Sequence, residues 1–356
     1  MSEQIFDVII IGAGRAGLAV AAQAQRQGLN YLVLEGSQHI GDSWRQRYDS
    51  LVLFTPRRYS QFPDMPMPGE PEGYPNKDEM AGYLGMYAKA NRLRVQLGEP
   101  ATEVTKHADM FIVRSAKASY RARNVVLATG PFQVPFIPAW ASRLPPEVMQ
   151  VHSSEYHNSR QIKGHKVLVV GGRNSGAQIA VELLRAGHDV SLATKHKIHY
   201  LPPRILGKSV FWWLYLLVAM SHRFGRGRAF TGQGWWVKTG DTGTRVMGIR
   251  IKKLARQKKL QLYPAAQAAE DKIIVFADGR RDNFETVIWA TGFTFDYSWV
   301  KLPGVVTAGG EPNHHHGVCR DCPGLFFIGL VHQRAVPPLL LPSVCEDAVF
   351  ILDNLL

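Results

Sequence analysis

The chain has 356 residues, enough for two domains of ordinary size and a substantial core, with 46% hydrophobic and 20% charged residues as in a soluble globular protein. Its formal charge of +13 raises the local concentration of anionic ligands or membrane surfaces. The basic residues are nonetheless spread along the chain apart from Arg250 to Lys259, which reads as a solvated helix face with no nucleic-acid module beside it. Nucleic acid is therefore not an expected partner. Three cysteines, Cys319, Cys322 and Cys345, exclude a disulfide framework and point to a reducing, cytoplasmic compartment. Met1 to Phe6 lead straight into the first strand, with no signal-type apolar core.

Asp7 to Ile11 is a short run rich in β-branched residues, as in a buried strand of a parallel sheet. It enters Gly12-Ala13-Gly14-Arg15-Ala16-Gly17, then a helix over Leu18 to Gln27, then a strand over Tyr31 to Leu34 that closes on Glu35. Gly12 allows the tight turn, Gly14 lets a pyrophosphate approach the backbone, and Gly17 lets helix and strand pack closely. The helix N-terminus offers unpaired N–H groups, and Glu35 can accept bonds from both hydroxyls of an adenosine ribose. A lone glycine turn is weak evidence, but strand, turn, helix, strand and terminal acid in register indicate a bound dinucleotide.

Gly41-Asp42-Ser43-Trp44, Tyr48-Asp49-Ser50-Leu51 and Thr55 to Tyr59 follow, with a long irregular segment over Phe54 to Pro75. A helix is expected over Asp78 to Arg92. Short strands follow at Leu93 to Leu97, Ala101 to Thr105, Met110 to Val113, Ser119 to Arg121 and Asn124 to Ala128, the last ending at Thr129-Gly130. After the turn-rich Pro131 to Pro146 the opening pattern returns. A strand over His165 to Val170 meets Gly171-Gly172-Arg173-Asn174-Ser175-Gly176, a helix over Ala177 to Arg185 and a strand over Val190 to Ala193. This repeat ends in Thr194-Lys195-His196-Lys197. A carboxylate there would repel a 2′-phosphate whereas cations attract it, so the second site reads as preferring NADPH, with Lys195 the leading partner and NADH left open.

Ser209 to Ser221 is strongly apolar but too short to span a bilayer. It suits a lid or core helix, with a peripheral membrane contact through its basic flanks or a homodimer contact as the other readings. Phe284 to Trp289 enters Ala290-Thr291-Gly292, echoing Ala128-Thr129-Gly130. Cys319 and Cys322 are read as reduced thiols in an exposed loop rather than a redox dithiol, and His314-His315-His316 as no metal site. Leu325 to Ile328, Gly329 and a helix over Ser343 to Leu355 suit a return to the first domain.

Two glycine fingerprints with two Ala-Thr-Gly strand ends resemble the two-dinucleotide-binding-domain flavoproteins, and within them the flavin-containing monooxygenases. His152 to Tyr156, Gly171 to Gly176, Leu201 to Ser209, Tyr48 to Leu51 and Tyr74-Pro75 resemble the plant YUCCA-type indole-3-pyruvate monooxygenases. Bacterial potassium-transport-associated flavoproteins are equally similar. The resemblance implies an α/β fold of two Rossmann-like domains, the NADPH domain (residues 151–284) inserted in an FAD domain (1–150 and 285–356). It implies an NADPH-dependent FAD monooxygenase that oxygenates a small organic substrate with molecular oxygen through a C4a-(hydro)peroxyflavin. A reductase or oxidase of the same fold, or a redox-sensing partner of a transporter, are the competing readings. Implied cofactor contacts are the first turn with Glu35, Ser43, Trp44, Val104, Thr129, Gly130 and Gly329. For the nicotinamide cofactor they are Gly171, Gly172, Asn174, Ser175, Lys195, Thr291 and Gly292. Arg57, Tyr59 and His152 are the catalytic candidates, His152 being more in character as a hinge residue. Two departures stand out. The family's F-x-G-x-x-x-H linker keeps only His152, with Pro146 and Val148 in place of Phe and Gly, and the Gly-Gly-x-Trp turn reads Gly41-Asp42-Ser43-Trp44.

Overall fold

The computed structural model describes residues 4–214, 216, 244–257, 259–330, 333 and 342–356. The chain divides into two compact units. The first comprises Met1–Arg45, Thr55–Val134 and Thr294–Leu356, and the second Gln46–Phe54 and Pro135–Phe293.

In the first unit the strand Ile5–Ile11 lies between Tyr31–Leu34 and Ser119–Leu127, both parallel to it. Val8, Ile9 and Ile10 are fully buried, as expected of a strand covered on both faces. Val95–Gln96 extends the sheet on one side and Leu325–Phe327 on the other, again parallel. Ala101–His107 and Met110–Ser115 form an antiparallel meander on Ser119–Leu127. The two strands expected at Ser119 and Asn124 are one continuous strand. Asn124 does not break it because its buried amide is satisfied, donating to Asp7 O at 3.0 Å and accepting from Leu356 N at 3.1 Å. The helix Arg15–Arg26 buries its alanines and Leu18 and packs along the last helix, Pro342–Leu352. Lys77–Ala90 starts on a capping box in which Asn76 accepts from the Glu79 N–H and Glu79 accepts from the Asn76 N–H.

The second unit holds five parallel strands in the order Gln261–Tyr263, Asp189–Ala193, Lys166–Val170, Thr286–Trp289, Met149–His152. The helix Asn174–Arg185 buries Ile179, Ala180 and Leu183. An antiparallel meander of Ala266–Glu270, Ile273–Phe276 and Arg281–Asn283 accompanies the sheet, with Tyr263 stacked on Phe276 at 4.0 Å. Gln46–Phe54 is fastened to this unit. Tyr48 Oη donates to Gln178 Oε1 at 3.0 Å, Asn158 Nδ2 to Asp49 Oδ2 at 2.8 Å and Ser50 to Glu182.

The basic cluster contains a helix at Ile251–Arg256, anchored by buried Ile251. Residues 215 and 217–221 of the apolar segment lie outside the described residues. Among the described residues no helix is long and apolar enough to cross a membrane. Cys319 and Cys322 correct an expectation: they are not in an exposed loop but 4% and 6% exposed. Val318–Cys319 is a strand on Leu325–Phe327, and that pairing turns both thiols into the core containing Phe327 and Leu325. Burial pushes both thiols up, away from the reactive thiolate.

Candidate dinucleotide-binding site

In the first unit each glycine of the turn has its own reason. Gly12 has φ +105°, and a Cβ on it would stand 2.7 Å from Ala128 O. A Cβ on Gly17 would stand 1.9 Å from Gly12 O, so the helix could not close on the turn. Around Gly14 nothing lies within 4 Å of where a side chain would begin, so the backbone is open there. Glu35 is fixed facing the same turn. Its carboxylate accepts from Ala13 N at 2.6 Å and Ser37 N at 2.9 Å, and each oxygen keeps a second lone pair. A Cβ on Gly329 would meet Ala16 Cβ at 2.8 Å, which brings the end of Leu325–Phe327 to the same helix start. Gly12 to Gly17, Glu35, Ala128 to Gly130 and Gly329 therefore converge on the N-terminus of Arg15–Arg26. An open backbone, a helix N-terminus and a fixed carboxylate fit the diphosphate and ribose of a dinucleotide.

The second unit repeats the device. Gly171 has φ +119°, and its Cβ would stand 2.2 Å from Ala290 O. A Cβ on Gly176 would lie 1.9 Å from Gly171 O. The two Ala-Thr-Gly strand ends thus do one job, each presenting an alanine carbonyl to the first glycine of a turn. The central position differs. Gly14 and Arg173 both precede their helix in extended backbone, with φ −66°, ψ −179° and φ −80°, ψ −176°, so Arg173 carries a side chain where the first turn is bare. Arg173 is exposed, as is Lys195 at the end of the next strand. The sequence reading passed over Arg173, although the shift from Gly-x-Gly to Gly-Gly-Arg signals it. Asn174 accepts from Met247 N at 3.0 Å, and Ser175 bonds to Tyr48. Thr291 donates to Phe136 O.

His152 is 1% exposed and fully engaged. Ser154 N–H donates to Nδ1 at 3.1 Å, which leaves the ring proton on Nε2, donating to Gly292 O at 3.0 Å. Its ring stands edge-on to Phe293 at 5.0 Å, and burial lowers its pKa below the usual 6.5. It is a neutral tie between the strand Met149–His152 and the turn at Gly292. Arg57 is ion-paired with Glu79, the capping residue of Lys77–Ala90, and sits tightly against Gly69 and Gly73. Tyr59 is 8% exposed. Gly41 abuts Ala81 of the same helix, leaving Ser43 exposed and Trp44 half-buried. Val104 is buried, with its N–H given to Trp299 O and its carbonyl taken by Lys301 N. His314 Nδ1 accepts from Gly317 N at 3.1 Å.

Two parallel-sheet units, each with a glycine turn shaped for a diphosphate, define a dinucleotide-binding α/β protein. A family model described as pyridine nucleotide-disulphide oxidoreductase matches residues 9–201, and the chain belongs to that family. An oxidoreductase named CzcO-like from Geobacillus kaustophilus is 40% identical over 99% of both chains. The indole-3-pyruvate monooxygenase YUCCA1 of rice, Oryza sativa subsp. japonica, is 30% identical over 83% of this chain and 79% of its own. A flavin-containing monooxygenase structure from Stenotrophomonas maltophilia superposes with a TM-score of 0.81 at 24% identity, covering 99% and 98% of the two chains. The protein is a flavin-dependent oxidoreductase, and its cofactors are a flavin and a nicotinamide nucleotide.

Proposed function

We propose that the protein is an NADPH-dependent FAD monooxygenase that acts with molecular oxygen on a small organic substrate, a carbonyl compound, a 2-oxo acid or a soft nitrogen or sulfur nucleophile. The observation that carries this reading is the duplicated turn, in which an alanine carbonyl seats the first glycine of each unit. The 30% identity to an indole-3-pyruvate monooxygenase supports the oxygenase side of it.

On this reading Gly12 to Gly17 hold the diphosphate of FAD and Glu35 its ribose, while Thr129, Gly130 and Gly329 border the same site. The turn Gly171 to Gly176 holds the nicotinamide dinucleotide. Arg173 supplies by charge what Gly14 supplies by openness, and Lys195 recognises the 2′-phosphate. When bound, the flavin would accept electrons from the nicotinamide and pass them to oxygen. The chain's own work is to bind and orient the cofactors and to exclude water. His152 holds the turn at Ala290 to Gly292 rather than moving a proton, because both ring nitrogens are engaged.

The test is the absorption spectrum of the purified protein, followed by anaerobic reduction with NADPH and with NADH, then turnover under isotopically labelled dioxygen. A yellow protein reduced preferentially by NADPH, with label in the product, is the expected result. A preparation that takes up no flavin ends the reading, and peroxide equal to the nicotinamide consumed with every substrate ends its oxygenase part. Lys195→Ala should weaken NADPH by about tenfold and leave NADH unchanged. Equal weakening of both would remove Lys195 from the 2′-phosphate.

A further inference from the structure

Arg15 carries a charge that the described residues of the first unit do not satisfy. The residue is 9% exposed, yet Nε, Nη1 and Nη2 have no hydrogen-bond acceptor among the described residues. A buried ion without a partner is far more costly than a surface one, so a native chain keeps it where a ligand completes it.

The surroundings offer it ring faces in place of an acceptor. Its guanidinium carbon lies 5.7 Å from the centroid of Phe62, which stacks on Tyr87 at 3.6 Å and on Tyr83 at 5.9 Å. The Tyr83 hydroxyl is spent, donating to Met65 O at 2.6 Å and accepting from Phe62 N at 2.6 Å. Cys345 and Tyr83 are the ionisable groups that act on Arg15, and burial pushes both upward, so neither is an anion at neutral pH. Asp64, which acts on both, is ion-paired with Arg26. Burial also lowers the guanidinium to about 9, which leaves it charged at pH 7.

Its position gives the missing partner a chemistry. Arg15 is the first residue of the helix Arg15–Arg26, directly after the open backbone of Gly14, where free N–H groups already favour an anion. We infer that Arg15 is a built-in counter-ion for the flavin diphosphate, adding a side-chain ion pair to the backbone turn and making flavin retention dependent on salt. This rests on the flavin reading above and goes beyond it, since a glycine fingerprint needs no guanidinium. The cation lies over the face of Phe62, a weak partner, and the diphosphate would give it a strong one.

The experiment compares the full chain, purified with its flavin, with Arg15→Met, Arg15→Gln and Arg15→Lys. It reads the temperature at which flavin fluorescence is released and the flavin retained after dialysis at low and high salt. Arg15→Met and Arg15→Gln should lose flavin at least about tenfold more readily, with a flatter salt dependence, and Arg15→Lys should recover part of the loss. Wild-type retention and salt dependence in either neutral variant would overturn the inference. If Arg15→Met fails to fold, Arg15→Gln and Arg15→Lys carry the comparison. If the wild-type chain itself takes no flavin, the flavin reading falls separately, and inorganic pyrophosphate then decides Arg15. A rise in the wild-type melting temperature that Arg15→Gln loses supports the anion site, and no rise, or an equal one, removes it.

Discussion

His152 is a catalytic candidate whose two ring nitrogens are both engaged within the fold. Its imidazole is held neutral by burial, by the Ser154 N–H at Nδ1 and by Gly292 O at Nε2. Because the folded-state pKa lies below the unfolded one, the stability it contributes is fully present above about pH 6.5 and is lost as pH falls through the folded value. The wild-type melting temperature should therefore drop between pH 7.5 and pH 5. His152→Gln should cost about 1–2 kcal/mol at pH 7.5 and flatten that drop, as circular dichroism melts would show. An unchanged slope would place the acid sensitivity elsewhere. Arg57 is a similar case, since its ion pair with Glu79 ties the segment after Thr55 to the helix Lys77–Ala90.

At the scale of elements, the two strand–turn–helix devices should fail separately. Gly17→Ala places a carbon 1.9 Å from Gly12 O, and Gly176→Ala repeats the clash at Gly171 O. Backbone has to move in each case, at a cost of about 1–3 kcal/mol or more. The expected outcome is that Gly17→Ala purifies without flavin, whereas Gly176→Ala stays yellow but is reduced by NADPH at least about tenfold more slowly. Flavin loss in both variants would mean that the turns do not serve separate nucleotides. The capping box gives an independent check on the first unit. Asn76→Ala removes the acceptor for the Asp78 and Glu79 N–H groups and should destabilise the protein by about 1 kcal/mol in a thermal or urea melt.

At the scale of the whole molecule, flavin binding and folding are linked by mass action. Free FAD at about a hundred times its dissociation constant should add about 2.7 kcal/mol to the unfolding free energy, read as a rise in the denaturant midpoint. FAD without effect on unfolding would contradict a site built by the folded first unit. Much of this fold was legible in the chain. Gly17 and Gly176 are dictated by clashes with carbonyls of their own turns, and the strands before those turns by a continuous run of β-branched residues, so both announce themselves in sequence. The two Ala-Thr-Gly ends were visible as an echo, though their shared purpose, a carbonyl against a glycine, needed coordinates.

What the residues alone could not determine depends on partners far away in the chain. Cys319 and Cys322 sit in a Gly- and Pro-rich stretch that reads as exposed, and only pairing with Leu325–Phe327 turns them inward. Tyr48 to Leu51 follow the first turn in sequence but are fastened to Gln178 and Glu182 of the second unit. Arg15 reads in sequence as one member of the cofactor-binding first turn, with nothing to mark its side chain. Its burial over Phe62, with no hydrogen-bond acceptor for it among the described residues, comes from the packing of Phe62, Tyr83 and Tyr87 around it. Local sterics and periodicity are written in consecutive residues, whereas burial and hydrogen-bond satisfaction are properties of neighbours that only the folded chain brings together.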